Sequence, residues 1–91
     1  MPNRLHVHIR GRVQGVGFRF STVRHAEHLH LAGWVRNCPD GSVEAEFEGP
    51  KQALEEMLDW CRHGPRMALV EDIQTDWSTG ESNYDAFRVR H

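Results

Sequence analysis

The chain has 91 residues, of which 38% are hydrophobic and 26% charged, and its 11 basic against 13 acidic side chains leave a formal charge of −2. A chain of this length buries only about 60–65% of the surface it exposes when unfolded, so it holds one core, and residues 1–91 read as a single domain. The charge balance excludes a protein built to coat nucleic acid or an anionic membrane, and the short apolar runs exclude a membrane-spanning helix.

Leu5, Val7 and Ile9 alternate with His6, His8 and Arg10, the period of a half-buried strand. Three glycines within Gly11–Gly17 predict a loop. Phe18, Thr22, Ala26 and Leu29, with Val23 beside them, share one face of a helix, and Gly33 is the expected stop. Trp34–Asn37 reads as a short strand, and Cys38-Pro39-Asp40-Gly41 as a turn. From Ser42 to Glu48, Val43, Ala45 and Phe47 alternate with Glu44, Glu46 and Glu48, an acidic row expected to be a solvated sheet face. Pro50 is expected in the first turn of a second helix with the apolar stripe Ala53, Leu54, Met57, Leu58 and Cys61, stopped by Gly64-Pro65. Leu69–Trp77 reads as a strand, Ser78–Asn83 as a loop, and Phe87–Arg90 as a short last strand.

The order βαββαβ plus a short strand predicts an α+β fold, the ferredoxin-like two-layer sandwich, with two helices packed on one face of an antiparallel sheet. A right-handed crossover makes strands one and two parallel with strand three between them. Their C-terminal ends, carrying the glycine loop and Asn37, then lie on one sheet edge roughly 10 Å apart, a gap for one small anion and a water.

Glycine-rich backbone leading into a helix N-terminus makes a concave array of N–H donors at the positive end of the helix dipole. Arg19, in the first helical turn, adds a planar donor fork suited to phosphate oxygens. Val13 to Arg19 therefore reads as an anion cradle, or alternatively as a tight turn whose glycines serve only the fold. The spacing G-x-x-x-G-x-G fits neither the dinucleotide fingerprint nor the P-loop.

Gly11-Arg12-Val13-Gln14-Gly15-Val16-Gly17-Phe18-Arg19 resembles the signature of the acylphosphatase family. Gly33-Trp34-Val35-Arg36-Asn37 followed by Asp40-Gly41-Ser42-Val43-Glu44 resembles its second signature, and Glu48-Gly49-Pro50, Gly64-Pro65-Arg66 and Phe87–Arg90 extend the similarity over the whole chain. The resemblance implies a ferredoxin-like enzyme that hydrolyses the carboxyl-phosphate bond of a small acyl phosphate without metal or cofactor. It assigns phosphate binding to Arg19, water positioning to Asn37, and a phosphate-holding loop to Gln14, Gly15, Val16, Gly17 and Phe18. Inorganic phosphate is then the product and a competitive inhibitor. Ser21 and Cys38 are the departures near the motifs.

Such chemistry needs little machinery. The leaving carboxylate has a conjugate acid with pKa near 4 and departs without a general acid. Neither motif holds a strong base, so with the resemblance the phosphate itself is expected to take the water's proton. Other readings are weaker. His25 and His28 are spaced i, i+3, and His6 and His8 share a strand face, but no Cys or acidic pair completes a metal site at familiar spacing. Trp34, Trp60 and Trp77 are expected in packing rather than base stacking, because Glu44, Glu46 and Glu48 would repel a phosphate backbone. Cys38 and Cys61 read as free thiols, with Cys38 the more accessible and beside the active edge. The expected protein is a cytoplasmic monomer, with no nucleic-acid or membrane partner and without a signal-peptide core. The alternative is a non-catalytic module that binds an acyl phosphate or small anion. In that vein the first motif also resembles the N-terminal domain of large carbamoyl-transferring maturation proteins.

Overall fold

The computed structural model describes residues 2–91. Its elements are β1 (Asn3–Arg12), α1 (Phe18–His28), β2 (Ala32–Asn37), β3 (Val43–Gly49), α2 (Lys51–Cys61), β4 (Leu69–Thr79) and β5 (Phe87–Val89). The strands form one sheet in the order β4-β1-β3-β2-β5. β3 pairs antiparallel with both β1 and β2, so those two strands are parallel and end on the same edge. The two-layer expectation stands with one amendment: β5 runs parallel to β2, which makes the sheet mixed rather than antiparallel.

Alternation decides which residues meet the helices. Leu5, Val7 and Ile9 of β1 and Val43, Ala45 and Phe47 of β3 are all essentially without solvent contact. Phe18 and Ala26 from α1, and Leu54, Met57 and Cys61 from α2, close over them. Thr22 is buried in the same face because its hydroxyl donates to the Phe18 carbonyl at 2.7 Å, leaving no polar group unmet.

Three boundaries depart from the sequence expectation, each for a local reason. β1 does not end at the first glycine. It shifts register between Arg10 and Gly11 and continues against Val70 and Leu69 of β4, so the loop begins at Val13. α1 stops before Gly33. His30 takes the left-handed conformation at φ 59°, its N–H bonds to Glu27 O, and the Leu31 N–H bonds to Ala26 O, a Schellman closure without glycine. Gly33 instead lies inside β2, where a Cβ would stand 1.9 Å from the Glu46 carbonyl oxygen. Pro50 is the N-cap of α2 in extended conformation rather than a residue of its first turn.

The helix-free face is also unlike its expectation. Glu48 is 4% exposed, and its carboxylate accepts from Arg4 at 2.9 Å, from the Ser82 hydroxyl and from the Asn83 and Tyr84 backbone N–H groups. Glu46 accepts from the Tyr84 hydroxyl, and Glu44 bonds Arg36 and His6, each at 2.6 Å. The segment between β4 and β5 thus folds across the acidic row, which is a paired layer and not a bare solvated one. Trp34 belongs to this layer, under Arg90 at 4.5 Å and donating to the Tyr84 hydroxyl at 3.1 Å. Trp60 stacks on His25 and packs against Phe18, while Trp77 remains partly exposed.

Candidate active site

The loop from Val13 to Gly17 is pinned at its start, since the Val13 side chain is 1% exposed in the core. Gly15 and Gly17 then adopt φ of 74° and 78°, with open space where a Cβ would be, so conformation and not crowding demands glycine there. Gly17 is also the N-cap of α1. No side chain caps that terminus, and its first turn holds no acidic residue. The first bond into the helix runs from Ser21 N–H to Gly17 O at 3.0 Å. The amides of Phe18, Arg19 and Phe20 precede it and have no helical acceptor, which leaves a positive, donor-rich end.

Side chains of the loop go elsewhere. Phe18 is buried against Trp60 with ring centroids 5.4 Å apart, and Val16 packs against the core. Gln14 reaches across the sheet edge, its Nε2 donating to Cys38 O at 2.8 Å and to Ser42 O at 2.9 Å. These three residues face an incoming anion only through backbone. Gln14 in addition braces the cradle against the β2–β3 turn, a role that a long-range contact creates and no local sequence signal announces.

Asn37, the last residue of β2, pairs with the buried Val43 and so points to the helix side of the sheet. Cys38 follows on the opposite side, in a turn closed by Gly41 N–H to Cys38 O at 3.1 Å and Cys38 N–H to Ser42 O at 2.8 Å. Gly15, Gly17, Arg19 and Asn37 line one cavity of about 490 Å³, whose remaining wall is mostly apolar, with Phe20, Val23 and Val89, and also includes His91. Among the described residues no carboxylate lies within ion-pairing distance of Arg19; the ion pairs engage Arg4, His6, Arg10, Arg36 and Arg88. A larger concavity, about 740 Å³, opens between α2 and the end of β4, where Lys51 shares the lining with the carboxylates Glu55 and Asp59.

The histidines do not stand where a surface reading puts them all. His25 stacks on Trp60, and burial with the neighbouring His28 lowers its pKa. His8 binds the Ser42 hydroxyl at 2.6 Å on the helix-free face. Although no Cys or acidic pair stands at familiar metal spacing in the sequence, His8, Cys38 and Asp40 converge there. The spacing could not reveal this grouping, because β1 and the β2–β3 turn meet only across β3. Cys61 is completely buried, which pushes its pKa up, and Cys38 is 9% exposed, more accessible than Cys61 but far from open.

A model of the acylphosphatase family matches residues 5–89. An acylphosphatase of Trichormus variabilis is 55% identical over 78 residues, 86% of this chain and 77% of that protein. One from Salinibacter ruber is 51% identical over 87 residues, 96% of this chain and 92% of the other. The crystal structure of acylphosphatase from Bacillus subtilis superimposes with a TM-score of 0.94 at 35% identity, covering 98% of this chain and 99% of that one. With the fold, both motifs and these relatives in agreement, the chain belongs to the acylphosphatase family.

Proposed function

We propose that the chain performs its acylphosphatase hydrolysis through three parts: the Arg19 guanidinium, the backbone N–H groups from Gln14 to Phe18, and the Asn37 amide. The observation that carries this reading is the shared cavity, in which Arg19, without a carboxylate partner, and Asn37 face the uncapped N-terminus of α1. The substrate is a small acyl phosphate, and the products are a carboxylate and inorganic phosphate.

The obstacle to attack is charge, since water must approach a phosphoryl group that already repels it. Arg19 and the loop amides neutralise the phosphoryl oxygens as charge spreads over them in the transition state, in a pocket where such donors need no reorganisation. Asn37 both accepts from and donates to the attacking water, placing it in line with the departing carboxylate oxygen. None of these three parts is a strong base, so the phosphate takes the proton, although His91 also lines the cavity. The acyl group extends along Phe20, Val23 and Val89, an apolar wall that gives it contact area without competing for the phosphate.

Inorganic phosphate fits the same cradle and competes with substrate. The cationic role falls to a guanidinium and to backbone dipoles, which supports hydrolysis independent of metal. Charges on the open sheet face are internally paired, in keeping with a monomer, and two unpaired cysteines suit a reducing cytoplasm. No helix among the described residues is long and apolar enough to cross a membrane. The test is phosphate release from acetyl phosphate by purified protein in excess EDTA, with inorganic phosphate as inhibitor. Turnover with competitive inhibition is expected. Binding without release would make the chain an acyl-phosphate-binding module, and activity requiring Mg²⁺ would overturn the metal-independent mechanism.

A further inference from the structure

On the helix-free side of the sheet, directly behind Asn37, a ring nitrogen of His8, the Sγ of Cys38 and a carboxylate oxygen of Asp40 lie within 4.8 Å of one another. We propose that His8, Cys38 and Asp40 form a binding site for a thiophilic divalent cation, with Zn²⁺ the best match, separate from the hydrolytic cavity. Imidazole, thiolate and carboxylate together select a borderline-soft ion over Mg²⁺ or Ca²⁺, which require oxygen ligands. Zinc–ligand bonds of about 2.0–2.3 Å place ligand atoms of a tetrahedral site roughly 3.5 Å apart. Side-chain rotation of about an ångström therefore closes the observed group, with water as fourth ligand.

The surroundings are arranged as a metal site needs. Asp40 Oδ1 accepts from the Ser42 backbone N–H at 3.0 Å and from the Ser42 hydroxyl at 2.5 Å, and those bonds fix the orientation of its carboxylate. His8 Nε2 stands 2.6 Å from Ser42 Oγ, so one hydroxyl contacts both His8 and Asp40 and holds the two side chains together. On binding, His8 turns about its side-chain bonds to present a ring nitrogen to the ion, and Ser42 remains the outer partner that orients Asp40. The turn fixes Cys38 and Asp40 relative to one another through its backbone bonds. The half-exposed Asp40 gives the ion a way in, while Cys38 supplies a shielded sulfur. Arg10 opposes the ion, with Nη1 3.6 Å from Asp40 Oδ2, but its side chain is half exposed and free to withdraw. On binding, the Cys38 S–H gives its proton to solvent as the S–Zn bond forms, and nothing is oxidised or reduced.

The decisive measurement is optical and independent of hydrolysis. Titration of the full chain with Co²⁺ is expected to raise a near-ultraviolet thiolate-to-cobalt charge-transfer band that saturates at one ion per chain and is abolished by Zn²⁺. The band should vanish in Cys38→Ser, and affinity should fall at least tenfold in His8→Gln and in Asp40→Asn. Phosphate release by each variant in EDTA verifies that it is folded. No band in the wild type, a band surviving Cys38→Ser, or undiminished affinity in folded His8→Gln would each overturn the site.

Discussion

At the end of β2 two neighbouring residues look in opposite directions, and the two sheet faces they serve handle charge differently. Behind Cys38, the carboxylates of β3 are each engaged: Glu44 by Arg36 and His6, Glu46 by Tyr84, Glu48 by Arg4 and backbone N–H groups. On the Asn37 side, α1 begins without a cap, glycines hold the loop open, and Arg19 has no carboxylate partner among the described residues. The first face pairs its carboxylates internally, with Arg4 Nε the one buried side-chain donor left without a partner among the described residues, and contributes to holding the molecule together. The second leaves donors unmet, an arrangement that costs stability and suits a transient anion. Substitutions on the two faces should therefore separate catalysis from stability.

The largest effect is expected at Arg19. Arg19→Ala removes a charge-assisted contact that strengthens as charge spreads in the transition state, and kcat/KM should fall by on the order of 3–4 kcal/mol, a factor of several hundred. Its melting temperature should stay close to wild type, because the guanidinium forms no ion pair or hydrogen bond among the described residues. Arg19→Lys should recover little, since it keeps the charge and loses the fork. More than a tenth of wild-type turnover in Arg19→Ala would sink the assignment.

Asn37 should divide differently between binding and rate. Asn37→Ala is expected to lower kcat on the order of a hundredfold while the inhibition constant of phosphate stays within a few-fold of wild type. Inhibition kinetics decide the matter. If phosphate affinity collapses with kcat, Asn37 holds the anion and does not place the water.

Glu48 tests the opposite face. Burial works against its charge, but the Asn83 N–H, Arg4, Ser82 and the Tyr84 N–H outweigh burial and hold its pKa below the ordinary 4.5. Such a carboxylate binds fewer protons folded than unfolded. Its contribution is full above about 4.5 and disappears as pH falls through the lower folded value. Glu48→Gln should cost about 2–3 kcal/mol at neutral pH, on the order of 10 °C in Tm, and flatten the acid limb of the Tm profile. Its kcat, measured well below Tm, should remain within about twofold. A catalytic defect without a Tm loss would dissolve the division between the faces.

Much of this was legible in the chain, and the limits have physical causes. Period-two alternation placed Leu5, Val7 and Ile9 inward, and glycine spacing placed the cradle, because both depend on neighbours in sequence. The stop of α1 was misplaced because His30 adopted a conformation that glycine usually fills. The acidic row looked bare because most partners of Glu46 and Glu48 arrive from Ser82–Tyr84, more than thirty residues away. Separation in sequence also hid Gln14 reaching the β2–β3 turn and His8 meeting Asp40, contacts that only the sheet order creates.

The smallest effect is expected at Cys38, despite its place next to Asn37. Proximity in sequence invites the expectation that alkylation there blocks the water position and that phosphate protects against it. Strand alternation argues otherwise. Asn37 shares the helix side with Val43, and Cys38 turns to the opposite face, toward His8 and Asp40, with 9% of its surface exposed. A thiol so shielded reacts slowly, whatever its thiolate fraction. Hydrolysis also uses no nucleophile from the protein. Cys38→Ser should keep kcat and KM within about twofold of wild type in EDTA, and labelling by iodoacetamide should be slow and unaffected by phosphate. Mass spectrometry of a labelling time course, run beside the activity assay, checks both. Protection by phosphate, or inactivation in step with modification of Cys38, would place the thiol on the catalytic side and remove the separation of faces on which the other predictions rest.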